Sequence, residues 1–79
     1  MIDYRVKLTF PQDLVREPII ASLVRRFDVS ANIRRADVSE SFGWMICELD
    51  GSEEAVTAAI AWLVDVGVQV DALDQPLEG

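Results

Sequence analysis

One thiol and two pairs of carboxylates are the side chains of this sequence best suited to chemistry. Cys47 is its one cysteine, and the sequence has no histidine to deprotonate that thiol. The carboxylate pairs are Glu48 with Asp50 and Glu53 with Glu54. Neither pair has a third converging ligand, which a cation site or an acid–base arrangement would need. We therefore expect no catalytic residue, no metal and no cofactor, and we interpret Cys47 as a small buried hydrophobic residue.

The length and composition predict one small globular domain over residues 1–79. Of the 79 residues, 51% are hydrophobic and 27% are charged, a balance that disordered chains lack. The first five residues include an acid and no apolar stretch follows them, so we predict no signal peptide. The longest near-apolar run, residues 55–64, is about half of the ~20 residues that a membrane span needs. We expect a cytoplasmic domain without membrane insertion, ending in a flexible tail at 74–79.

The charges divide the chain into a basic part and an acidic part. Residues 1–35 hold all seven basic residues and four acidic ones, whereas residues 36–79 hold ten acidic residues and no basic one. Such a division predicts complementary surfaces or an interaction face.

Alternation of apolar and polar residues predicts four strands. They are residues 4–10, 29–38, 42–49 and 68–72. The second strand changes its apolar face midway, and a β-bulge near Arg34 and Arg35 would reconcile the two halves. The third strand is apolar on both faces.

Helical spacing and capping residues predict two helices. Pro18 suits the first position of a helix, and apolar residues follow it at helical spacing. Ser52 suits the N-cap of a second helix, with Glu53 and Glu54 in its first turn. Gly67 fits its left-handed C-cap. The order βαββαβ predicts an α+β ferredoxin-like sandwich, with two helices on one face of a four-stranded antiparallel sheet.

The other face of this sheet has no helix to cover it. The strand patterns assign to it Arg5, Lys7, Thr9, Phe42, Trp44 and Ile46. An exposed apolar patch of this kind usually marks a partner or ligand site. In the alternative interpretation, the stems of Arg5 and Lys7 fold over the aromatic rings. We expect Met45 on the helix side and interpret Trp62 of the second helix as structural.

RNA-recognition domains share this topology and carry an aromatic motif on the third strand. Residues 41–47 resemble the centre of that motif, but Glu40 stands in the place of its basic residue. The first strand offers Arg5 and Lys7 on the open face instead of a stacking aromatic ring. Because the net charge is also −7, which repels phosphates, we expect no nucleic-acid partner.

Three segments of the chain, residues 25–33, 42–46 and 58–63, combine in an order and spacing that resemble the NIL domain family. The family is named for an Asn-Ile-Leu motif; Asn32 and Ile33 match it, and Arg34 stands in the place of the leucine. The resemblance extends over about residues 4–73. NIL domains are best known as C-terminal regulatory domains of methionine ABC-importer ATPases, and their fold is similar to that of ACT domains.

The resemblance implies a non-catalytic regulatory domain that forms a homodimer and binds an amino acid such as methionine near the dimer interface. Carried over by position, the implied ligand-binding residues are Asn32, Ile33, Trp44, Met45 and Ile46, and we place the interface at Arg34, Arg35 and Phe42. The amide of Asn32 both donates and accepts hydrogen bonds, as the charged ends of an amino acid require. Two alternatives stay open. In the first, Asn32 is structural and bonds its own backbone at a turn or bulge. In the second, the open face docks a protein target, as in an adaptor without a small ligand.

Overall fold

The computed structural model describes residues 2–15, 17–39 and 41–73. In chain order its elements are β1 (Ile2–Phe10), α1 (Ile19–Arg26), β2 (Val29–Val38), β3 (Gly43–Gly51), α2 (Glu53–Val66) and β4 (Gln69–Ala72). The strands form one antiparallel sheet in the order β2-β3-β1-β4. The predicted βαββαβ fold is confirmed, whereas the tail predicted at 74–79 lies outside the described residues.

The alternation in β1 decides which face of the sheet the helices cover. Val6 and Leu8 are fully buried, whereas Arg5 and Lys7 lie on the opposite surface. The core that both helices build with this face comprises Val6, Leu8, Phe10, Ile19, Leu23, Val29, Cys47, Leu49, Val56, Ala59, Leu63 and Val68. Each fully buried leucine in it contributes about 1.5–3 kcal/mol to stability.

The first helix begins one residue later than predicted. Pro18 occupies the N-cap position and Ile19 is the first helical residue. The carbonyl of Pro18 accepts the first helical hydrogen bond, from the Ser22 N–H at 3.0 Å. Proline has no N–H that would be left unsatisfied at the start of a helix, so it fits the N-cap nearly as well as the first helical position.

The predicted bulge in β2 is confirmed. Ile33 pairs with Cys47 and Arg35 pairs with Ile46, so Arg34 is an extra residue with no partner position on β3. The extra residue returns Val38 to the helix side, which explains the change of apolar face that the sequence shows.

The turn between β2 and β3 ends at Phe42, which the sequence assigned to the strand. The Phe42 carbonyl accepts hydrogen bonds from the Ser39 backbone N–H at 2.7 Å and from the Ser39 hydroxyl at 3.0 Å. β3 therefore begins at Gly43, and it continues two residues beyond the predicted end, as far as Gly51. A Cβ atom on Gly51 would lie only 2.9 Å from the Asp28 carbonyl oxygen, so the close approach of β2 requires glycine there.

Both predicted caps of α2 are confirmed. The Ser52 hydroxyl accepts a hydrogen bond from the Ala55 N–H at 3.0 Å, and Glu53 and Glu54 lie in the first turn. Gly67 adopts the left-handed conformation with φ 109° and donates its N–H to the last turn of the helix. Together these caps satisfy backbone groups that a helix leaves without internal partners.

Replacing the N-cap serine, Ser52→Ala, will lower stability by about 1 kcal/mol, because the Ala55 N–H loses its acceptor. For a domain of this size that corresponds to a fall in Tm of about 4–8 °C, measurable by circular dichroism. Thr57→Ala, at an exposed position within the same helix, is the matched control and should not lower Tm, since alanine has the higher helix propensity. Equal effects of the two substitutions would contradict the capping role.

Candidate functional site

The open face, defined as the sheet surface opposite the helices, consists of side chains aligned in four rows across the strands. By cross-strand register the rows are Ser30, Asp50 and Asp3; Asn32, Glu48 and Arg5; Arg35, Ile46, Lys7 and Asp71; and Asp37, Trp44, Thr9 and Gln69. Directly opposed side chains on adjacent strands have Cβ atoms about 4.5–5.5 Å apart, so the members of a row interact.

Glu48 is the centre of a charged cluster in the second row. Its carboxylate accepts a hydrogen bond from the Arg5 guanidinium at 2.7 Å, and the guanidinium of Arg34 lies 3.8 Å from its other oxygen. The Arg5 hydrogen bond, with the charges of both arginines and the facing amide of Asn32, lowers the pKa of Glu48. Glu48 is therefore a carboxylate at neutral pH, held between two cations and an amide.

Apolar surface adjoins this cluster. Ile46 and Trp44 precede Glu48 on the same face of β3, and both are half-buried. The ammonium of Lys7 lies 5.4 Å from the centre of a Trp44 ring, a cation–π distance. The expected apolar patch is thus partly covered by one of the two basic side chains that the alternative interpretation named; the other, Arg5, is paired with Glu48 instead.

Two carboxylates face each other in the first row. Asp3 and Asp50 are directly opposed on β1 and β3. Partial desolvation is the largest cause that raises the pKa of Asp3, and the neighbouring carboxylates of Asp50 and Glu48 raise it further. The charge of Arg5 lowers it. Like charges directly opposed on a sheet are destabilising, and Arg5 relieves the repulsion only in part.

The five predicted ligand-binding residues lie on two different faces of the sheet. Asn32, Trp44 and Ile46 share the open face. Ile33 and Met45 lie on the helix side: Ile33 is 48% exposed at the β2 edge, and Met45 packs against the core. Met45 also lines an apolar groove of about 180 Å³ beneath the loop that precedes α1. The structure therefore brings three of the five together.

The predicted interface residues are all exposed. Arg34 and Arg35 lie at the bulge in the edge strand β2, and Arg35 belongs to the third row of the open face. Phe42 is 50% exposed and lies at the end of the sheet, beside Thr9 and Gln69.

Two features of the open face escaped the sequence analysis. Proximity in sequence groups Glu48 with Asp50. In the structure Glu48 forms an ion pair with Arg5, and Asp50 lies opposite Asp3. β1 and β3 are separated by a helix and a strand, so no local pattern reports their register. The alternation on each strand identifies the face but leaves the opposing partner undetermined.

The predicted burial of Cys47 is confirmed, since its side chain is fully buried in the core. Burial, with a smaller effect of the Glu48 charge, raises the pKa of the Cys47 thiol to about 11. A protonated and inaccessible thiol is a poor nucleophile at neutral pH. Trp62 likewise packs in the structure as expected, 6.0 Å from Phe27 between ring centres and under the Arg26 guanidinium.

The family model described as the NIL domain matches residues 4–72. The chain belongs to the NIL domain family. The match covers all four strands and both helices except the first two residues of β1.

Curated relatives carry this NIL domain as a small part of a longer chain. The chain is 36% identical to the methionine import ATP-binding protein MetN 1 of Salmonella typhimurium (strain LT2) and 35% identical to MetN of Escherichia coli (strain K12). It is 31% identical to MetN of Bacillus subtilis (strain 168). Each alignment covers 86% of this chain and 21% of the relative, so the chain spans about one fifth of the length of these relatives.

A solved structure shares the NIL domain fold. The C-terminal domain of an ABC transporter ATP-binding protein from Enterococcus faecalis superposes with a TM-score of 0.79 at 23% identity. The superposition covers 92% of this chain and 86% of that one.

Neither of the helices in the described part of the chain is long and apolar enough to cross a membrane. Among the same residues, no three cysteine or acidic side chains are grouped so that they would hold a metal ion.

Removing the charge of Asp3 will stabilise the NIL domain at neutral pH. A carboxyl group with a raised folded-state pKa contributes stability when protonated and loses it as pH rises through that pKa. Asp3→Asn should therefore raise Tm at pH 7, and the gain should shrink as the pH falls and Asp3 becomes protonated. Thermal unfolding followed by circular dichroism at pH 7 and pH 4 measures both effects. Asp37→Asn, elsewhere on the open face, is the control, and a Tm of Asp3→Asn at or below wild type at pH 7 would refute the repulsion.

Proposed function

We propose that this NIL domain is a non-catalytic regulatory domain that binds an amino acid, with methionine the first choice, between two copies of itself. The observation that carries the proposal is the second row of the open face. Its carboxylate, guanidinium and amide groups, joined by the guanidinium of Arg34 from the β2 bulge, lie directly beside the apolar surface of Ile46 and Trp44. Membership of a family found in methionine import ATP-binding proteins fits a regulatory role and supports this choice of ligand.

The charged ends of an amino acid match the polar groups of this row. A carboxylate ligand fits the guanidinium of Arg34, which is about half exposed and lies 3.8 Å from Glu48, beyond hydrogen-bond distance. An ammonium group fits the ionised Glu48. Asn32 faces Glu48 across the strands and offers both a donor and an acceptor to either end.

The apolar side chain of the ligand has a surface to pack on one step along the same strands. Ile46 and Trp44 form it, and the thioether of methionine makes favourable contacts with an aromatic ring. A methionine that reaches from Glu48 in the second row to Trp44 in the fourth would displace the Lys7 ammonium from the Trp44 ring.

A second copy of the chain is needed to enclose such a ligand. Small-molecule sites usually bury at least 70–90% of their ligand, whereas a sheet face covers only one side of it. The opposite edges of the sheet carry opposite charges, Arg34 and Arg35 on β2 against Asp71 on β4. Opposite charges at the two edges favour contact between identical copies, with β2 of one copy beside β4 of the other.

Methionine will bind to the purified protein, and Asn32→Ala will weaken binding about ten- to hundredfold, the loss expected for one hydrogen bond to a charged ligand group. Isothermal titration calorimetry with methionine, and with other amino acids in parallel, measures this. Asp37→Ala, two rows away on the same strand, should bind as wild type does. Absence of heat at millimolar methionine would reject the ligand, and a sharp fall in the Tm of Asn32→Ala would make Asn32 structural.

The protein will be a dimer in solution. Light scattering at micromolar concentration should give twice the chain mass of 8.8 kDa, with methionine shifting the equilibrium further toward the dimer. Arg35→Glu, which reverses a charge on the β2 edge, should weaken the dimer, whereas Glu54→Gln on the exposed surface of α2 should leave it intact. A mass of 8.8 kDa, together with no heat of binding in the methionine titration, would favour the alternative, an adaptor that docks on another protein.

A further inference from the structure

The outer edge of β1 is only partly paired. β3 pairs with all nine residues of β1, but β4 pairs with only four of them, Val6 to Thr9. One further hydrogen bond, from the Leu73 N–H to the Arg5 carbonyl at 3.0 Å, extends this contact. Beyond Arg5, no described residue pairs with the outer edge of β1 at residues 2–4.

Hydrogen-bonding groups of the backbone point outward at this edge. In an antiparallel sheet, alternate residues of a strand direct their N–H and C=O groups to opposite neighbours. Because the Arg5 carbonyl bonds to Leu73, the same alternation directs the N–H and C=O of Asp3 away from β3 and toward the free edge. An edge with outward N–H and C=O groups is a template for another strand.

An apolar groove flanks the free edge on the helix side. It has a volume of about 280 Å³ and is lined by Ile2, Tyr4, Glu53, Val56, Thr57 and Ile60. Ile2 and Tyr4 are 37% and 38% exposed, although they continue the alternation that buries Val6 and Leu8. β4 ends before it reaches them, so their apolar surface is left open.

Negative charge flanks the same edge on the open face. Asp3 and Asp50 oppose each other there, and Arg5, the described cation whose charge acts on Asp3, is already bonded to Glu48. Glu53 adds a further carboxylate at the groove. The edge therefore presents a mainly apolar groove with one carboxylate on the helix side of the sheet, and opposed carboxylates on the open face.

The geometry points to a docking site for an extended segment of a partner protein in which basic and apolar residues alternate. Such a segment adds to the sheet beside β1 and exchanges backbone hydrogen bonds with Asp3. Its apolar side chains enter the groove, and its basic side chains lie over Asp3 and Asp50. A second copy of this edge is a poor occupant, since it would bring the Asp3 residues of both copies together. The site is independent of the proposed amino-acid ligand.

The test uses an acetylated and amidated hexapeptide, Lys-Val-Lys-Val-Lys-Val, titrated into the ¹⁵N-labelled full chain. The Asp3 and Tyr4 amide resonances should shift, and hydrogen exchange of the Asp3 N–H should slow on binding. A matched peptide with glutamate in place of lysine should bind at least about tenfold more weakly, because like charges repel. Equal binding of the two peptides would overturn the site, and so would an unchanged amide resonance of Asp3. Protection of the Asp3 N–H from exchange before any peptide is added would overturn it as well.

Three variants separate the charge from the backbone. Asp3→Asn keeps the N–H and should weaken the lysine peptide about two- to fivefold, as expected for one exposed ion pair. Asp3→Pro removes the outward N–H without removing a bond to β3 and should abolish binding. Asp71→Asn, an acid on β4 away from the free edge, should bind as wild type does. If Asp3→Pro fails to fold, Asp50→Asn replaces it and should also weaken binding of the lysine peptide. Unchanged binding by both Asp3→Asn and Asp50→Asn would overturn the proposal.

Discussion

The pairing of β1 with β3 in one fixed register is the constraint on which the core and the open face both depend. Side chains alternate between the two faces of a strand, so a slip of one residue would expose Leu8 and turn Arg5 into the core. The register that buries Leu8 also places Arg5 opposite Glu48 and Asp3 opposite Asp50. The favourable ion pair and the unfavourable acid pair are therefore consequences of the same pairing, and neither can change without a change in the core.

The two edges of the sheet are protected to different degrees. β2 is long and exposed, but it carries the bulge at Arg34 and the charge of Arg35, and both features discourage pairing with another strand. β4 protects the other edge only as far as Arg5, and Tyr4 and the residues before it extend past its end. An extended partner would therefore meet less resistance at the start of β1 than along β2.

Local patterns in the sequence predicted the elements and the faces, because burial of one face leaves a period of two in a strand. They predicted even the bulge at Arg34, since an extra residue reverses that period. They did not predict which residue opposes which, because the register between β1 and β3 is set by contacts distant in sequence. For that reason the Arg5 ion pair with Glu48 is not apparent from the sequence. The family resemblance grouped Ile33 and Met45 with Asn32, whereas the alternation already predicted Met45 on the helix side, where both residues lie.

Part of the division of charge along the chain is resolved within the folded sheet. Arg5 and Arg34 belong to the basic part of the chain and meet Glu48 of the acidic part, and Lys7 lies opposite Asp71. The first row departs from this rule, because its β1 residue is one of the few acids in the basic part. Asp3 thus adds to the negative charge of β3 where every other charged residue of β1 offsets a carboxylate. The excess negative charge lies at the point where β4 ends, so the part of the β1 edge that no described residue pairs with is also the part with excess charge.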